Sequence, residues 1–223
     1  MRAALIVPAL DEAEVIGGLL ARVPRGAVDE VIVVDNGSTD GTAAAAARAG
    51  ARVVAEPRRG YGAACWAGIC ALAPAAEVAV FIDGDGSQRP EELPLVLAPI
   101  AAGRADLVLG ARRLDANHPI HAVLGTRLVA AVLSRRCGTT ITDVGPFRAI
   151  RVDLLKRLGM EDRAYRWPVE MISKAAALEA RIVEVPVSHE ARLGGRSKVS
   201  GTVLGSARAG WAFLDAALRA ALG

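Results

Sequence analysis

Two carboxylates stand two residues apart in Asp83-Gly-Asp85, directly after the apolar run 78–82. Carboxylates at this spacing, just past a strand, can converge on one hard cation, and both Mg²⁺ and Mn²⁺ prefer oxygen ligands. Such a cation keeps positions for phosphate oxygens and stabilises the charge that develops on a departing diphosphate. A solvated acidic turn is the alternative. We interpret Asp83 and Asp85 as metal ligands and count Asp85 among the catalytic residues.

Two further polar loops follow apolar runs and lead into predicted helices. Asp35-Asn-Gly-Ser-Thr-Asp-Gly41 is rich in turn formers and helix N-cap residues. Asp35, fixed at a strand tip, could accept a hydrogen bond from a base or a ribose. Pro8-Ala-Leu-Asp-Glu12 is a similar turn, in which Glu12 could equally be an acid favoured in the first turn of a helix. On the residues alone, a binding role and a purely structural role stay open for both loops.

A third candidate is the glycine-rich stretch Arg58-Arg-Gly-Tyr-Gly62, which precedes a predicted helix. Glycines there would free backbone N–H groups to face an anion. The stretch matches neither a P-loop nor the GxGxxG pattern, so the indication of a phosphate site is weak.

The elements that must position these residues alternate between strand and helix. Strands are predicted at 3–7, 31–34, 53–55, 78–82 and 106–109, and helices at 12–22, 42–49, 63–72 and 91–102. Short apolar strands separated by helices are typical of an α/β fold with a mostly parallel central sheet flanked by helices. Ligands bind such sheets beyond the carboxyl ends of the strands. We therefore expect one crevice to collect four polar strand ends: Asp11-Glu12, Asp35-Asn36, Asp83-Gly-Asp85 and Arg112-Arg113.

The second half of the chain has a different pattern. Helices are predicted at 124–135 and 166–180, strands at 149–151 and 182–187, and a polar turn at 143–148. A final amphipathic helix is expected from Thr202 onward, either packed on its own domain or lying on a bilayer. Since neither a repeat nor a linker is evident, we predict one domain over residues 1–223.

Composition narrows the classes of function. The chain has 223 residues and a net charge of +3, which is too small to indicate nucleic-acid binding but suits anionic substrates. Cys65, Cys70 and Cys137 have no CxxC spacing, so we expect reduced thiols in a cytoplasmic protein. No signal peptide is evident before the first strand, and no stretch reaches the ~18 apolar residues of a membrane-spanning helix. The sequence leaves the oligomeric state open.

Taken in order, four motifs resemble those of the family-2 inverting glycosyltransferases with the GT-A fold: Val7-Pro-Ala-Leu-Asp-Glu12, Val34-Asp-Asn-Gly-Ser-Thr-Asp-Gly-Thr42, Gly60-Tyr-Gly-Ala-Ala64 and Asp83-Gly-Asp85. The resemblance covers nearly the whole chain. It implies a UDP- or GDP-hexose donor, held with Mg²⁺ or Mn²⁺ by the half of the chain over about 1–112. The donor-binding residues that follow from it are Pro8, Leu10, Glu12, Asp35, Gly37, Gly62, Asp83 and Gln88.

Motifs in the second half resemble the dolichyl-phosphate mannose or glucose synthase branch of that family: Gly145-Pro-Phe-Arg148, Glu170-Met171, Glu184-Val-Pro-Val187, Arg192 and Ser197-Lys198. In that branch the acceptor is a polyprenyl phosphate. The resemblance therefore implies an acceptor half over about 113–223 and a protein that could work peripherally on the inner membrane face.

The resemblance also assigns roles to charged residues of this half. Phosphate or acceptor binding is expected for Arg112, Arg192, Ser197 and Lys198, and catalytic roles for Arg148 and Glu170 beside Asp85. Cations are needed because a phosphate nucleophile and a diphospho-sugar repel each other, and arginine can bind phosphate bidentately. Glu170 could be a base, a hydrogen-bond acceptor for the sugar or the partner of an arginine. A phosphate acceptor needs no strong base, whereas a hydroxyl acceptor does.

Some residues depart from the family pattern. The QxxRW motif of processive synthases is absent, so polymer synthesis is not expected. Asp-Gly-Asp replaces the Asp-Ala-Asp of many lipid-phosphate synthases, Asp11 stands where asparagine is common, Arg196 stands where an acid is frequent, and the membrane-spanning tail of some relatives is missing. Three alternatives remain: transfer to a hydroxyl of a soluble acceptor, a sugar nucleotidyltransferase, and a non-catalytic nucleotide-binding module. The second lacks its usual glycine-rich basic loop after the first strand.

Overall fold

The computed structural model describes residues 1–112, 129–135, 138, 140–190 and 192. The helix predicted at 124–135 is helical over 129–135, and its earlier part lies outside the described residues. The same holds for Ser197, Lys198 and the expected C-terminal helix, so the predictions made for them stay predictions.

One seven-stranded sheet forms the centre, in the order β3-β2-β1-β4-β6-β5-β7. β6 runs antiparallel to both of its neighbours, and every other adjacent pair is parallel. The predicted mostly parallel sheet is thus confirmed. Its strands are β1 Ala3–Ala9, β2 Glu30–Asp35, β3 Arg52–Ala55, β4 Val78–Phe81, β5 Leu107–Arg112, β6 Arg148–Arg151 and β7 Ile182–Val187.

Helices cover both faces of the sheet, because the strand side chains are apolar on both sides. Along β1, Leu5 and Val7 pack on one face while Ile6 packs on the other, as the two-residue period of a strand requires. α1, α2 and α4 lie on the first face, and α3, α5, α6 and the segment 129–135 on the second. The helices are α1 Ala13–Ala21, α2 Thr42–Arg48, α3 Tyr61–Cys70, α4 Leu93–Ala101, α5 Val152–Leu158 and α6 Trp167–Ala177.

The predicted element bounds need three corrections. The helix expected at 91–102 begins as a 3₁₀ turn, Pro90–Glu92, because Pro90 and Pro94 restrict the backbone before α4 is established. Helix α6 ends at Ala177, short of residue 180. Helix α5 is missed by the sequence pattern, since it follows β6 without an intervening turn residue.

The order of the strands reverses at β1. β2 and β3 extend the sheet to one side of β1, and β4 and the later strands extend it to the other. In open α/β sheets the crevice at such a reversal is where ligands bind. Strands β6 and β7, from the predicted acceptor half, belong to this same sheet. In the part of the chain that the structure describes, no helix has both the length and the apolarity to cross a membrane.

Candidate active site

The carboxyl ends of β1, β2, β4 and β5 lie at one edge of the sheet, and antiparallel β6 begins at that edge. Asp35 is the last residue of β2, Arg112 the last of β5 and Arg148 the first of β6. Sheet topology therefore brings the predicted strand-end residues to one edge, together with Asp83 beyond β4.

The turn 83–88 is held by its own side chains. Ser87 donates to Asp85 Oδ1 from its backbone nitrogen at 3.0 Å and from its hydroxyl at 2.6 Å. Gln88 is buried, accepts a hydrogen bond from the backbone nitrogen of Asp83 at 2.8 Å and donates to the Ser87 hydroxyl. The amide of Gln88, predicted to bind the donor, is therefore used inside the turn, where it holds the backbone of Asp83 and the hydroxyl of Ser87.

Asp83 has the chemistry of a metal ligand. Its Oδ1 is buried and has no hydrogen-bond partner among the residues that the structure describes. Burial raises the pKa of Asp83 from 3.8 to about 7, and the charge of Asp85 adds to this rise, against the opposing effects of Arg148, Arg112 and the Tyr61 hydroxyl. An orphaned carboxylate oxygen beside a second carboxylate fits a divalent cation. No third His, Cys, Asp or Glu completes a metal cluster in the described ranges, so water and ligand phosphates would fill the remaining positions.

Arg148 is not placed to contact a substrate. Its side chain is 1% exposed, and its guanidinium donates to the carbonyls of Gly145, Pro146 and Pro168. Burial lowers its pKa, while neighbouring groups that include Asp83 and Asp143 raise it. The predicted direct catalytic role is therefore corrected: Arg148 is an internal cation beneath Asp83.

Arg112 is bound by a residue that the sequence analysis did not single out as functional. Asp143, which is 1% exposed, accepts hydrogen bonds from Arg112 Nε at 2.7 Å, from Nη2 at 2.8 Å and from its backbone nitrogen at 3.0 Å. Burial alone would raise the pKa of Asp143, but the hydrogen bonds and charge of Arg112 lower it below its ordinary value. The Nε and Nη2 groups of Arg112 already donate to Asp143, so a phosphate could bind only the remaining N–H groups of the guanidinium.

The predicted nucleoside loops are locked to each other. Asp11 takes a left-handed conformation with φ +50° and accepts the backbone N–H of Thr39 at 2.8 Å. The backbone nitrogen of Glu12 donates to the Thr42 hydroxyl at 2.8 Å, and Asp35 Oδ1 accepts the backbone N–H of Ser38 at 3.0 Å. These contacts fix Glu12 in the loop after β1 and Asp35 at the end of β2.

The glycines of Gly60-Tyr-Gly62 have a different purpose from the one predicted. The backbone nitrogens of Gly62 and Ala63 donate to the carbonyls of Ala164 and Arg163, so these N–H groups do not face an open anion site. A Cβ added to Gly62 would lie 2.5 Å from the Asp162 carbonyl oxygen. The glycines therefore permit close packing of the segment 160–166, and the anion-binding interpretation is corrected.

Glu170 holds this same segment. Its two carboxylate oxygens accept the backbone N–H groups of Glu161 at 2.7 Å and Asp162 at 2.9 Å. Lys174 forms an ion pair with it at 2.8 Å. The geometry therefore does not favour a role for Glu170 as a base, as an acceptor for the sugar or as the partner of an arginine. Instead, its carboxylate fixes the backbone segment that packs on the first turn of α3.

Arg192 spans the crevice. Its Nη2 lies 2.6 Å from Glu12 Oε1, and its Nη1 lies 3.4 Å from Asp85 Oδ2. Glu12 itself is buried, at 6% exposure. One guanidinium therefore joins the loop after β1 to the turn after β4.

Three known proteins resemble this chain in sequence or in fold. An uncharacterized glycosyltransferase of Mycobacterium tuberculosis is 43% identical over 204 residues, which cover 91% of each chain. An undecaprenyl-phosphate mannosyltransferase of Micrococcus luteus is 35% identical over 227 residues, covering 93% of this chain and 91% of that protein. A crystal structure of glucosyl-3-phosphoglycerate synthase from Mycobacterium tuberculosis, in complex with Mn²⁺, UDP and glucosyl-3-phosphoglycerate, has a TM-score of 0.78 at 24% identity and covers 97% of this chain and 80% of that chain.

The structural likeness confirms the predicted GT-A fold. The model of the family described as glycosyl transferase family 2 matches residues 4–159, which is more than half of the chain. Together with the relatives of matching length, this match shows that the protein belongs to glycosyl transferase family 2 and is a glycosyltransferase.

Proposed function

We propose that this protein is an inverting glycosyltransferase that moves a hexose from a nucleotide-diphospho-sugar to a polyprenyl phosphate. The observation that carries the proposal is the turn 83–88, which presents two carboxylates, one of them with an orphaned buried oxygen, at the crevice of the sheet. The named activity of the Micrococcus luteus relative supports the acceptor, as does a polyprenol monophosphomannose synthase of Mycolicibacterium smegmatis that is 30% identical over 221 residues.

Asp83 and Asp85 are the residues that would hold Mn²⁺ or Mg²⁺. A divalent cation bound there would supply charge stabilisation to the diphosphate leaving group. The crystal structure of the glucosyl-3-phosphoglycerate synthase is a complex that contains both Mn²⁺ and UDP, and this supports manganese. Ser87 holds the Asp85 carboxylate and Gln88 holds the backbone of Asp83, so the turn needs little reorganisation.

The locked loops after β1 and β2 would bind the nucleoside. Asp35 Oδ1 accepts a hydrogen bond from the backbone N–H of Ser38, which fixes the orientation of the carboxylate. In this orientation the carboxylate can accept a hydrogen bond from a ribose hydroxyl. Glu12 is fixed through its backbone nitrogen by Thr42. Pro8, Leu10 and Gly37 would line the same subsite.

A phosphate acceptor agrees with the state of Glu170. A hydroxyl acceptor needs a general base, and the Glu170 carboxylate is already bound to two backbone N–H groups and Lys174. A phosphate oxygen is ionised near neutral pH and can attack the anomeric carbon from the face opposite the diphosphate without a base. Arg112, Arg192, Ser197 and Lys198 are the proposed cationic and polar contacts of the two phosphate groups. Such an acceptor would bring the protein peripherally to the cytoplasmic membrane face.

A soluble phosphorylated acceptor is the second candidate. The glucosyl-3-phosphoglycerate synthase structure supports it through its fold, and a synthase of that name from Mycolicibacterium paratuberculosis is 36% identical over 111 residues, or 44% of this chain. Transfer to a hydroxyl of such a molecule would require a base other than Glu170 as it stands here.

The test is a transfer assay on the full chain with Mn²⁺, using GDP-mannose or UDP-glucose as donor. Undecaprenyl phosphate in detergent and 3-phosphoglycerate are offered as acceptors. We expect transfer to the lipid phosphate, and a loss on the order of 10²–10³-fold for Asp85→Asn, as found when groups that stabilise transition-state charge are removed.

Asp153→Asn is the matched control, since Asp153 is an exposed carboxylate paired with Arg151 at the opposite edge of the sheet. This variant should retain the rate. Full activity of Asp85→Asn would overturn the metal assignment. Transfer to 3-phosphoglycerate alone would replace the lipid acceptor by the soluble one.

A further inference from the structure

We propose that Arg192 is the resident counter-ion of the metal site, and that the metal and the donor diphosphate displace it when they bind. Its guanidinium forms ion pairs with Glu12 and Asp85. After displacement it becomes available to the phosphate of the acceptor. This inference rests on the proposed function, because it takes Asp83 and Asp85 to be the metal ligands.

The position of Arg192 carries the argument. Glu12 precedes α1, Asp85 follows β4, and these two loops form the two walls of the crevice at the reversal of strand order. Arg192 reaches both, at 2.6 Å to Glu12 Oε1 and 3.4 Å to Asp85 Oδ2. Its side chain is 26% exposed, so solvent still reaches part of it.

The hydrogen bonding of the Arg192 guanidinium is also incomplete, so a phosphate group could replace its present partners. Arg192 Nε is buried and has no hydrogen-bond partner in the part of the chain that the structure describes. A buried donor without a partner is unfavourable, and a longer separation such as the 3.4 Å to Asp85 is a weak ion pair. Phosphate oxygens would satisfy the same guanidinium in full, because arginine binds phosphate bidentately.

The guanidinium that lies 3.4 Å from Asp85 Oδ2 would be repelled by a divalent cation on the same carboxylate. It would therefore leave Asp85 when that cation binds. The donor complex would thus form first, and the acceptor phosphate would meet an arginine that the donor complex has released.

The counter-ion role and a simple phosphate-binding role predict different changes in Mn²⁺ affinity when Arg192 is removed. If Arg192 only bound the donor phosphates, its removal would weaken nucleotide binding and leave Mn²⁺ binding unchanged. If it is the resident counter-ion, its removal strengthens Mn²⁺ binding in the absence of nucleotide. The two roles can therefore be separated without measuring catalysis.

The experiment is a calorimetric titration of Mn²⁺ into the nucleotide-free full chain. We expect Arg192→Gln to bind Mn²⁺ roughly three- to tenfold more tightly than the wild type, the scale of a partly exposed ion pair. Arg192→Lys, which keeps the charge, should stay close to the wild type. Arg151→Gln, which removes an exposed arginine at the opposite sheet edge, should match the wild type as well.

Equal or weaker Mn²⁺ binding by Arg192→Gln overturns the inference. Failure of the proposed function has a different signature: Asp85→Asn would then bind Mn²⁺ as well as the wild type does. Thermal melting of each variant verifies folding, and Arg192→Met, which also removes the charge and should likewise tighten Mn²⁺ binding, repeats the test if the glutamine variant melts early. In the transfer assay, Arg192→Gln should raise the KM for undecaprenyl phosphate about tenfold or more if the released guanidinium binds the acceptor, and an unchanged KM contradicts that second step.

Discussion

The proposed donor side and the proposed acceptor side of this sheet edge use their charged residues differently. On the donor side, the carboxylates of Asp35 and Asp85 accept hydrogen bonds from their own loops, and the backbone nitrogen of Asp83 donates to Gln88. On the acceptor side, Arg112 and Arg148 are bound by Asp143 and by backbone carbonyls. A short polar loop can display an acid toward a ligand, whereas the charges around the inserted strand β6 mainly hold the protein together.

The largest effect that separates the two sides is expected for Arg148→Met. This change removes the buried positive charge near Asp83 and Asp143. It also leaves three backbone carbonyl oxygens without their hydrogen-bond donor, so we expect a loss of about 3–5 kcal/mol in the free energy of unfolding. Urea denaturation measures it. Arg58→Met, at a guanidinium that is 71% exposed, is the control and should change stability little. A loss below about 1 kcal/mol for Arg148→Met would mean that this cation is not structural.

The donor side is tested next by pH. The pKa of Asp83 is raised from 3.8 to about 7 in the metal-free protein, so between these values the folded chain holds a proton that the unfolded chain has released. The free energy of unfolding should therefore fall as pH rises through this window. Mn²⁺ must displace that proton, so its affinity should drop about tenfold per pH unit below pH 7. Titrations at pH 8, 7 and 6 measure this slope, and a flat affinity over that range would contradict it.

The smallest effect is expected for Glu170→Gln. The glutamine carboxamide keeps one acceptor for the two backbone N–H groups and loses the ion pair with Lys174, so the segment 160–166 should loosen by about 1 kcal/mol. Transfer should slow several-fold while the shape of its pH profile stays unchanged. A rate that loses its dependence on an acidic pKa would instead identify Glu170 as a base and favour the hydroxyl acceptor.

Much of the donor side can be predicted from sequence, because a polar residue directly after a buried apolar run must lie at a strand end. Asp35 and Asp83 follow this rule. The partner of Arg112 cannot be predicted in that way, since Asp143 is 31 residues away and meets it only because β6 pairs with β5. The burial of Arg148 cannot be predicted from sequence either, because an arginine is usually exposed. Here the carbonyls of Gly145, Pro146 and Pro168 accept its hydrogen bonds inside the fold.

The insertion of β6 between β4 and β5 has a consequence for how such an enzyme can evolve. The predicted boundary near residue 112 separates two halves along the chain, but exchanging the second half between relatives would also replace the strand that pairs with β4. It would replace Arg148, whose charge acts on Asp83, as well. A working exchange of halves would therefore have to preserve both the pairing of β6 with β4 and this buried arginine.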